Sequence, residues 1–353
     1  MQALFENVSL TIVGAGCKNR CKHCYINAKV SQAVLIALEQ IESIVERIQA
    51  ENKKDPPFYQ NINPCFMYEP MDHPDIVSIH KLFYNLNPKA ALVRTMATNG
   101  QRIASDASYA KIIQDLQNYG VEQFQLTLHG LKKTHDWFAG RPGAYNSILE
   151  AARRIVSLGA KIHWVYFLSK ANVKEFPEMI KLARKVSTEM AITESINIWG
   201  PAGRARKQRH LLISGTDLDG LPSAIRNMEF LPEYLPESRW IEYAQNGRMQ
   251  SLLEDFLENV RRKGGVPDCT LQVDKDNIGD FARILEEKRS SAIAAKQGKS
   301  KIARPSRPDI LWLAEKYGDK ESKVLYRVST MRQEWLRRWR EDTKKGENIK
   351  GRQ

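Results

Sequence analysis

The sequence predicts an α/β fold on parallel strands, extended at its C-terminus by a mostly helical, basic segment. Three observations carry this. Short β-like apolar runs alternate with amphipathic helical stretches six times between Val8 and Trp199. Such alternation implies parallel pairing and right-handed crossovers. Beyond residue 210 the alternation weakens. From Lys288 to Gln353 there are 19 Lys and Arg against 8 Asp and Glu, so most of the net charge of +13 sits in the tail.

The elements follow in order. Val8–Val13 is the first strand, and Gly14-Ala15-Gly16 carries the chain into a loop. Residues Ser31–Ala50 read as a helix, with Leu38, Ile41, Val45 and Ile48 at helical spacing and Ser31 as a candidate cap. Asp55-Pro56-Pro57 breaks the chain before a second strand, Phe58–Met67, and a helix over His73–Leu86. Ala90–Ala97 is the third strand, closed by Thr98-Asn99-Gly100, and Ser105–Tyr119 the helix after it, stopped by Gly120. Val121–Leu128, Asn146–Leu158, Lys161–Leu168, Lys174–Met190 and Ser195–Trp199 complete the alternation. Asp217–Met228 and Trp240–Arg262 read as helices, and Cys269–Asn277 as a short strand and turn. Lys288–Pro308 has linker composition. Asp309–Tyr317 and Ser322–Arg340 read as helices, and the residues from Lys344 as a frayed end.

The chemistry-bearing stretch is Cys17-Lys18-Asn19-Arg20-Cys21-Lys22-His23-Cys24-Tyr25, which puts three thiols in a loop after a strand. Three thiolates suit a soft metal centre with an open position, because structural zinc sites are normally closed by four ligands. Spacing alone leaves zinc and iron–sulfur both open, and His23, Cys65 or Cys269 could complete a zinc site.

With those residues in view, the chain resembles the radical S-adenosylmethionine (SAM) superfamily. Cys17-x3-Cys21-x2-Cys24 looks like its signature, and the resemblance spans residues 8–205. It implies a partial (β/α)6 TIM-like barrel. It also implies one 4Fe–4S cluster on Cys17, Cys21 and Cys24, with SAM on the fourth iron. An electron then splits SAM into methionine and a 5′-deoxyadenosyl radical that abstracts hydrogen from a substrate. His23 stands where the family usually has an aromatic residue near SAM. Tyr68-Glu69-Pro70 resembles the Gly-Glu-Pro turn whose acid binds the amino group of SAM, with Met67 and Tyr68 in place of the two glycines. The Thr98-Asn99-Gly100 ending and Asn172 on the fifth strand's ending resemble further SAM-contacting positions. Thr127-Leu128-His129-Gly130 through Tyr145 resembles the pattern of members with a SPASM or twitch extension. Thr127 keeps the hydroxyl that helps hold the SAM carboxylate. Ala139 stands where the family has Arg, and Arg141 is the substitute that this resemblance suggests. Pro201-Ala202-Gly203-Arg204-Ala205 resembles that subgroup's sixth-strand ending.

Domain organisation follows: a core over 1–210, a degenerate twitch-like or helical cap over 211–287, a basic linker over 288–308 and a basic helical tail over 309–353. Only Cys269 lies in the cap region, too few for an all-Cys auxiliary cluster. Cys65 and Cys269 read as small buried apolar residues. The hydrophobic content of 42% is that of a globular chain, and no apolar run approaches membrane-spanning length. The N-terminus lacks a secretory pattern, so the expectation is cytoplasmic. The resemblance implies an electron donor such as flavodoxin or ferredoxin and a peptide or small-molecule substrate. Two rivals stay open: a zinc-stabilised protein whose basic tail binds nucleic acid, and a radical SAM enzyme led to nucleic acid by that tail.

Overall fold

The computed structural model describes residues 3–24, 35–187, 192–200, 208–223, 234–249, 269–274, 276–296 and 310–350. Strands β1 (Phe5–Ile12), β2 (Tyr59–Phe66), β3 (Thr95–Ala97), β4 (Gln123–Leu128), β5 (Lys161–Leu168) and β6 (Ile192–Ile198) alternate with helices, among them α1 (Leu38–Asn52) and α2 (Ile76–Leu86). Adjacent strands run parallel in two sheets, β2-β1-β8 and β3-β4-β5-β6, where β8 is Cys269–Val273 and follows the two-residue strand β7 (Leu235–Pro236). The result is an open, partial barrel of α/β class, with its helices on the outside.

Every second strand residue packs outward. Val8, Leu10 and Ile12 share a core with Ile41, Ile44 and Ile48 of α1, and Phe124, Leu126, Ile162 and Trp164 share another with Ile148, Ala152 and Ile155. The alternate positions face inward by the pleat of the strands. Ser9, Thr11, Asn61, Asn63, Gln123, Gln125, Thr127, His163, Thr193, Ser195, Thr270 and Gln272 carry hydroxyl, carboxamide or imidazole groups there, and Lys161, exposed at the start of β5 in register with Gln123, adds a cation. They cross-link the sheet: Gln123 Nε2 donates to Thr95 Oγ1 (2.9 Å), while His163 Nδ1 and Nε2 meet Thr193 Oγ1 (2.7 Å) and Ser195 Oγ (3.1 Å).

Several elements depart from expectation. Of Ala90–Ala97 only Thr95–Ala97 is strand, because Ala91–Arg94 forms a short helix (α3) that residues such as Ala and Leu favour. Gln101–Ser105 (α4) and Tyr109–Asn118 (α5) replace one helix over Ser105–Tyr119. An additional helix, α6 (Lys132–Ala139), precedes α7 (Ala144–Ser157), and α8 (Phe176–Val186) follows β5. Residues 31–34 of the first expected helix, its candidate cap Ser31 included, lie outside the described residues. So do residues 25 and 201–205, and much of the expected helices Asp217–Met228 and Trp240–Arg262.

The largest difference concerns Cys269–Val273. Instead of opening an appended cap, this strand lies parallel to β1, with Leu271 opposite Leu10. Its outward residues Cys269, Leu271 and Val273 enter the same core as those of β1. The following stretch is helical over Phe281–Lys296, so the segment expected as a linker from Lys288 begins as helix. Phe281, Leu285 and Ala292 are buried, and Arg289 donates to the carbonyl of Pro56 (2.8 Å). Residues 297–309 lie outside the described set.

The C-terminal helices, Ile310–Tyr317 and Val328–Lys350, pack with the helix Glu237–Gln245 around Trp240, Leu313, Met331 and Trp335. This third core also takes in Phe138 and Trp199, so the module rests on the barrel's loops. The last helix passes Lys344, where an end had been expected. Two of its arginines are engaged: Arg338 bridges Glu237 and Glu334, and Arg337 pairs with Glu334 and Glu341. Among the described residues, no helix is long and apolar enough to cross a membrane.

Candidate cofactor-binding site

The cysteine loop leaves the C-terminal end of β1 and is pinned on two sides. Towards β2, the Met67 amide donates to Ile12 (2.8 Å) and the Glu69 amide to Gly16 (3.2 Å). Towards α6, the amides of Arg20 and Lys22 donate to the carbonyls of Ala139 and Phe138, both at 2.8 Å. Gly140 makes this second seam possible. Its φ of 63° is left-handed, and a Cβ there would stand 2.7 Å from the Arg20 carbonyl oxygen.

Glu69 closes one wall of the cleft. It is 3% exposed, yet both carboxylate oxygens have partners: Thr98 Oγ1 donates to Oε1 and the Asn99 amide to Oε2, each at 2.5 Å. Thr98 Oγ1 also accepts the Gly100 amide (3.0 Å), which the left-handed Gly100 (φ 75°) turns inward. Asn99 Nδ2 lies 3.7 Å from Cys17 Sγ, linking this wall to the thiols. Burial pushes the Glu69 carboxyl up to about 8, against the pull of the Thr98 hydrogen bond. Burial, and then Glu69 itself, push the Cys17 thiol up to about 11.

The opposite wall is aromatic. The His23 ring lies 4.4 Å from that of His129 and 5.2 Å from Phe167, with Phe138 at 6.3 Å. Desolvation lowers His23 to about 4 and His129 further, so both rings are neutral near pH 7. The His129 amide donates to His135 Nδ1 (3.2 Å), which leaves Nε2 as the protonated nitrogen of a neutral His135. Sequence reading passed over His129 and His135 as site residues. Their signal was the run from Thr127 to Asp136, whose histidines only the fold brings face to face with His23.

The cleft between the walls brings together Cys17, Cys21, His23, Glu69, Thr98, Asn99 and Thr127, along with Tyr68, Gln125, His129 and His135. Four expected residues do not line it. Cys24 is half-buried on the same loop, its amide donating to the Cys21 carbonyl (3.2 Å). Gly100 sits behind Thr98. Asn172 is fully buried and spans the loops after β4 and β5, donating to the carbonyls of His129 and Phe167, both at 2.9 Å. Arg141 lies behind the loop, where Nε donates to Asn19 Oδ1 (2.7 Å) and Nη2 is buried without a hydrogen-bond partner. Cys65 is half-buried beside Met67, with Sγ 3.7 Å from the thioether, and Cys269 is buried in the outer core.

The donor set fits an iron–sulfur cluster. None of the three loop thiols is in a disulfide. Thiols spread along a loop suit a cluster that offers a separate iron to each. His23 Nδ1 and Arg141 Nη2 are further buried atoms with no partner in the protein, the kind that a bound group satisfies.

A parallel α/β half-barrel with three thiols at its C-terminal edge defines a class of protein, and the comparisons identify it. Residues 11–183 match the Radical SAM superfamily, so the chain carries a domain of that superfamily. It is 22% identical over 170 residues to an Fe-coproporphyrin III synthase of Methanosarcina barkeri, covering 47% of this chain and 38% of that protein. Similar solved structures include SuiB of Streptococcus suis bound to precursor peptide SuiA, with 17% identity, a TM-score of 0.41 and coverage of 56% of this chain and 40% of that one. Another is HydG, a maturase of the [FeFe]-hydrogenase, with 16% identity, a TM-score of 0.42 and coverage of 63% and 49%. The chain thus spans about two fifths of the length of the first two relatives named. The family's cofactors are a 4Fe–4S cluster and SAM.

Proposed function

We propose that this protein is an enzyme that reductively cleaves SAM and uses the resulting radical on an uncharged, hydrogen-bonding part of its substrate. The observation that carries the reading is the convergence of the Cys17–Cys24 loop on the buried Glu69–Thr98–Asn99 unit. Cys17, Cys21 and Cys24 would hold the cluster, which would supply, with SAM bound, a one-electron cleavage to methionine and a 5′-deoxyadenosyl radical. The protein's own groups bind and orient. Glu69, held by Thr98 and Asn99, receives the amino group of SAM and passes its proton to solvent as the ammonium takes its place. Thr127 offers a hydroxyl to the carboxylate end. Arg141 positions the loop through Asn19, which lines the cleft. His23 and His129 form a neutral wall, and Asn172 holds the strand endings beneath it.

The inward sheet face supports the substrate reading. Its carboxamides and hydroxyls each donate and accept, as amide or hydroxyl groups of a peptide or polar metabolite require. A substrate that placed several carboxylates against this face would find, among the inward residues named above, Lys161 as the one cation, at the far end of β5 from the cofactor cleft. The cysteine pattern, three of five clustered in one loop rather than spread as a disulfide framework, suits a cytoplasmic enzyme.

The test uses protein prepared without oxygen. Iron and sulfide near four per chain, and 5′-deoxyadenosine formed after dithionite reduction, are expected, and Cys21→Ala should lose both. Zinc without iron after anaerobic reconstitution would sink the reading in favour of a zinc-stabilised binding protein. Deuterated peptide and metabolite pools then identify the hydrogen donor by label transferred into 5′-deoxyadenosine. A donor flanked by carboxylates would overturn the substrate class.

A further inference from the structure

A second cleft lies on the outer side of the cysteine loop, lined by Lys22, Lys132, Lys133, Asp136, Trp137 and Arg141, among others. Its charge is one-sided. Arg20, Lys132 and Lys133 are exposed, and among the described residues no carboxylate pairs with them or with Lys22. The one acid, Asp136, is turned inward, accepting the amides of Gly143 (2.8 Å) and Tyr145 (2.7 Å). Trp137 is 41% exposed at the centre, with Lys22 Nζ 4.7 Å from its ring centroid.

Two features mark this patch as more than a solvated face. Lys132 and Lys133 are the first two residues of α6, where the helix dipole disfavours cations. Arg20 and Lys22 belong to the loop that carries the thiols, and their amides are bonded to the end of α6. A partner seated here therefore touches the cluster loop itself. Trp137 also packs against Phe138 (4.9 Å), which packs on His23 (6.3 Å), so the patch is one side chain removed from the wall of the cofactor cleft.

We infer that Arg20, Lys22, Lys132, Lys133 and Trp137 form the docking surface for an acidic one-electron carrier protein of flavodoxin type. The inference rests on the proposed function, which needs one electron delivered to the thiolate-held cluster. The carrier is oxidised by one electron and the cluster reduced by one, with no bond made and no proton moved. Cations around an exposed aromatic residue complement an acidic rim and steer its approach.

The test measures binding of oxidised flavodoxin to the cluster-loaded full chain by calorimetry at low salt, which requires no turnover. Lys132→Glu with Lys133→Glu should weaken binding at least tenfold, and added salt should weaken the wild-type complex. The variant's thermal midpoint should hold or rise, since acids replace cations at a helix N-terminus. Its dithionite-driven SAM cleavage should be unchanged, while flavodoxin-driven cleavage falls at least tenfold. Trp137→Ala gives a second, charge-neutral loss. Unchanged flavodoxin affinity in both variants would overturn the inference. So would a patch that binds mixed-sequence RNA, sensitive to the same variants, but not flavodoxin. Absence of dithionite-driven cleavage in the wild type would instead count against the proposed function, because the binding measurement stands apart from it.

Discussion

The two walls of the cofactor cleft solve burial in opposite ways. On one, Glu69, Thr98 and Asn99 place an ionisable acid in the interior and hold it with short hydrogen bonds. On the other, His23, His129 and His135 are stripped of charge by burial and packed as rings. A buried acid with its carboxyl raised to about 8 is costly to ionise unless a cation comes to meet it. A neutral ring wall asks for the opposite, a flat or apolar surface. The cleft is thus polarised across its width and suits a ligand with a cationic end and an aromatic end, which SAM is.

The acid wall should carry the larger effect. Glu69→Ala is expected to weaken SAM binding roughly 10- to 100-fold, the scale of a lost hydrogen bond to a charged group. Titration of the cluster-loaded protein with SAM checks this. An unchanged affinity would place the SAM amino group elsewhere.

The same wall predicts a pH dependence that the ring wall cannot produce. Because burial raises the folded-state pKa of Glu69, its protonated form stabilises the fold. That contribution is complete below the ordinary carboxylate range and is lost as pH rises through about 8. An incoming ammonium reverses the preference. SAM affinity should therefore rise between about pH 6 and 8, by up to about tenfold per unit, and level off above. Calorimetry in buffers of different ionisation heat should show a proton released on binding, and Glu69→Gln should abolish both effects. His23, already neutral down to about pH 4, adds nothing in this window.

The ring wall sharpens the comparison from the other side. His23→Ala removes contacts with His129 and Phe167 and should cost about 0.5–1.5 kcal/mol per ring pair, read as a lower thermal midpoint and a SAM affinity several-fold weaker. His23→Phe should restore most of both, since packing rather than titration is what the ring supplies. If phenylalanine fails where histidine works, the unpartnered Nδ1 is a specific hydrogen-bonding group.

The walls also differ in how much of them could be read from the sequence. The alternation of strands and helices was legible because each βα unit is local, and the spacing of Cys17, Cys21 and Cys24 because chemistry fixes it. Glu69, Thr98 and Asn99 follow strand endings, so a parallel fold had to collect them at one edge. The ring wall was not legible: His129 and His135 mean nothing until α6 folds back along the loop, and α6 itself was hidden among turn-like residues. Pairing of β8 with β1 was equally hidden, since roughly 260 residues separate the partners and pairing leaves no local trace. The helix through Lys288 was masked by its charge, although its Ala-rich composition favours helix.

Tyr68 joins the two kinds of information, and its effect is the smallest. By the sequence resemblance it stands where the family has a glycine, and its backbone is left-handed (φ 75°), a conformation costing a side chain roughly 1–2 kcal/mol. Its ring lines the cleft beside Glu69. Tyr68→Gly relieves the strain but frees the unfolded chain and removes the ring, so the terms oppose. The expected outcome is a stability change within about 1 kcal/mol, measured by urea unfolding of the metal-free chain, and a SAM affinity changed less than about threefold. A stability loss larger than that would mean the Tyr68 ring is held by packing strong enough to force the backbone. A large loss of SAM affinity alone would move Tyr68 into the binding wall, alongside Glu69.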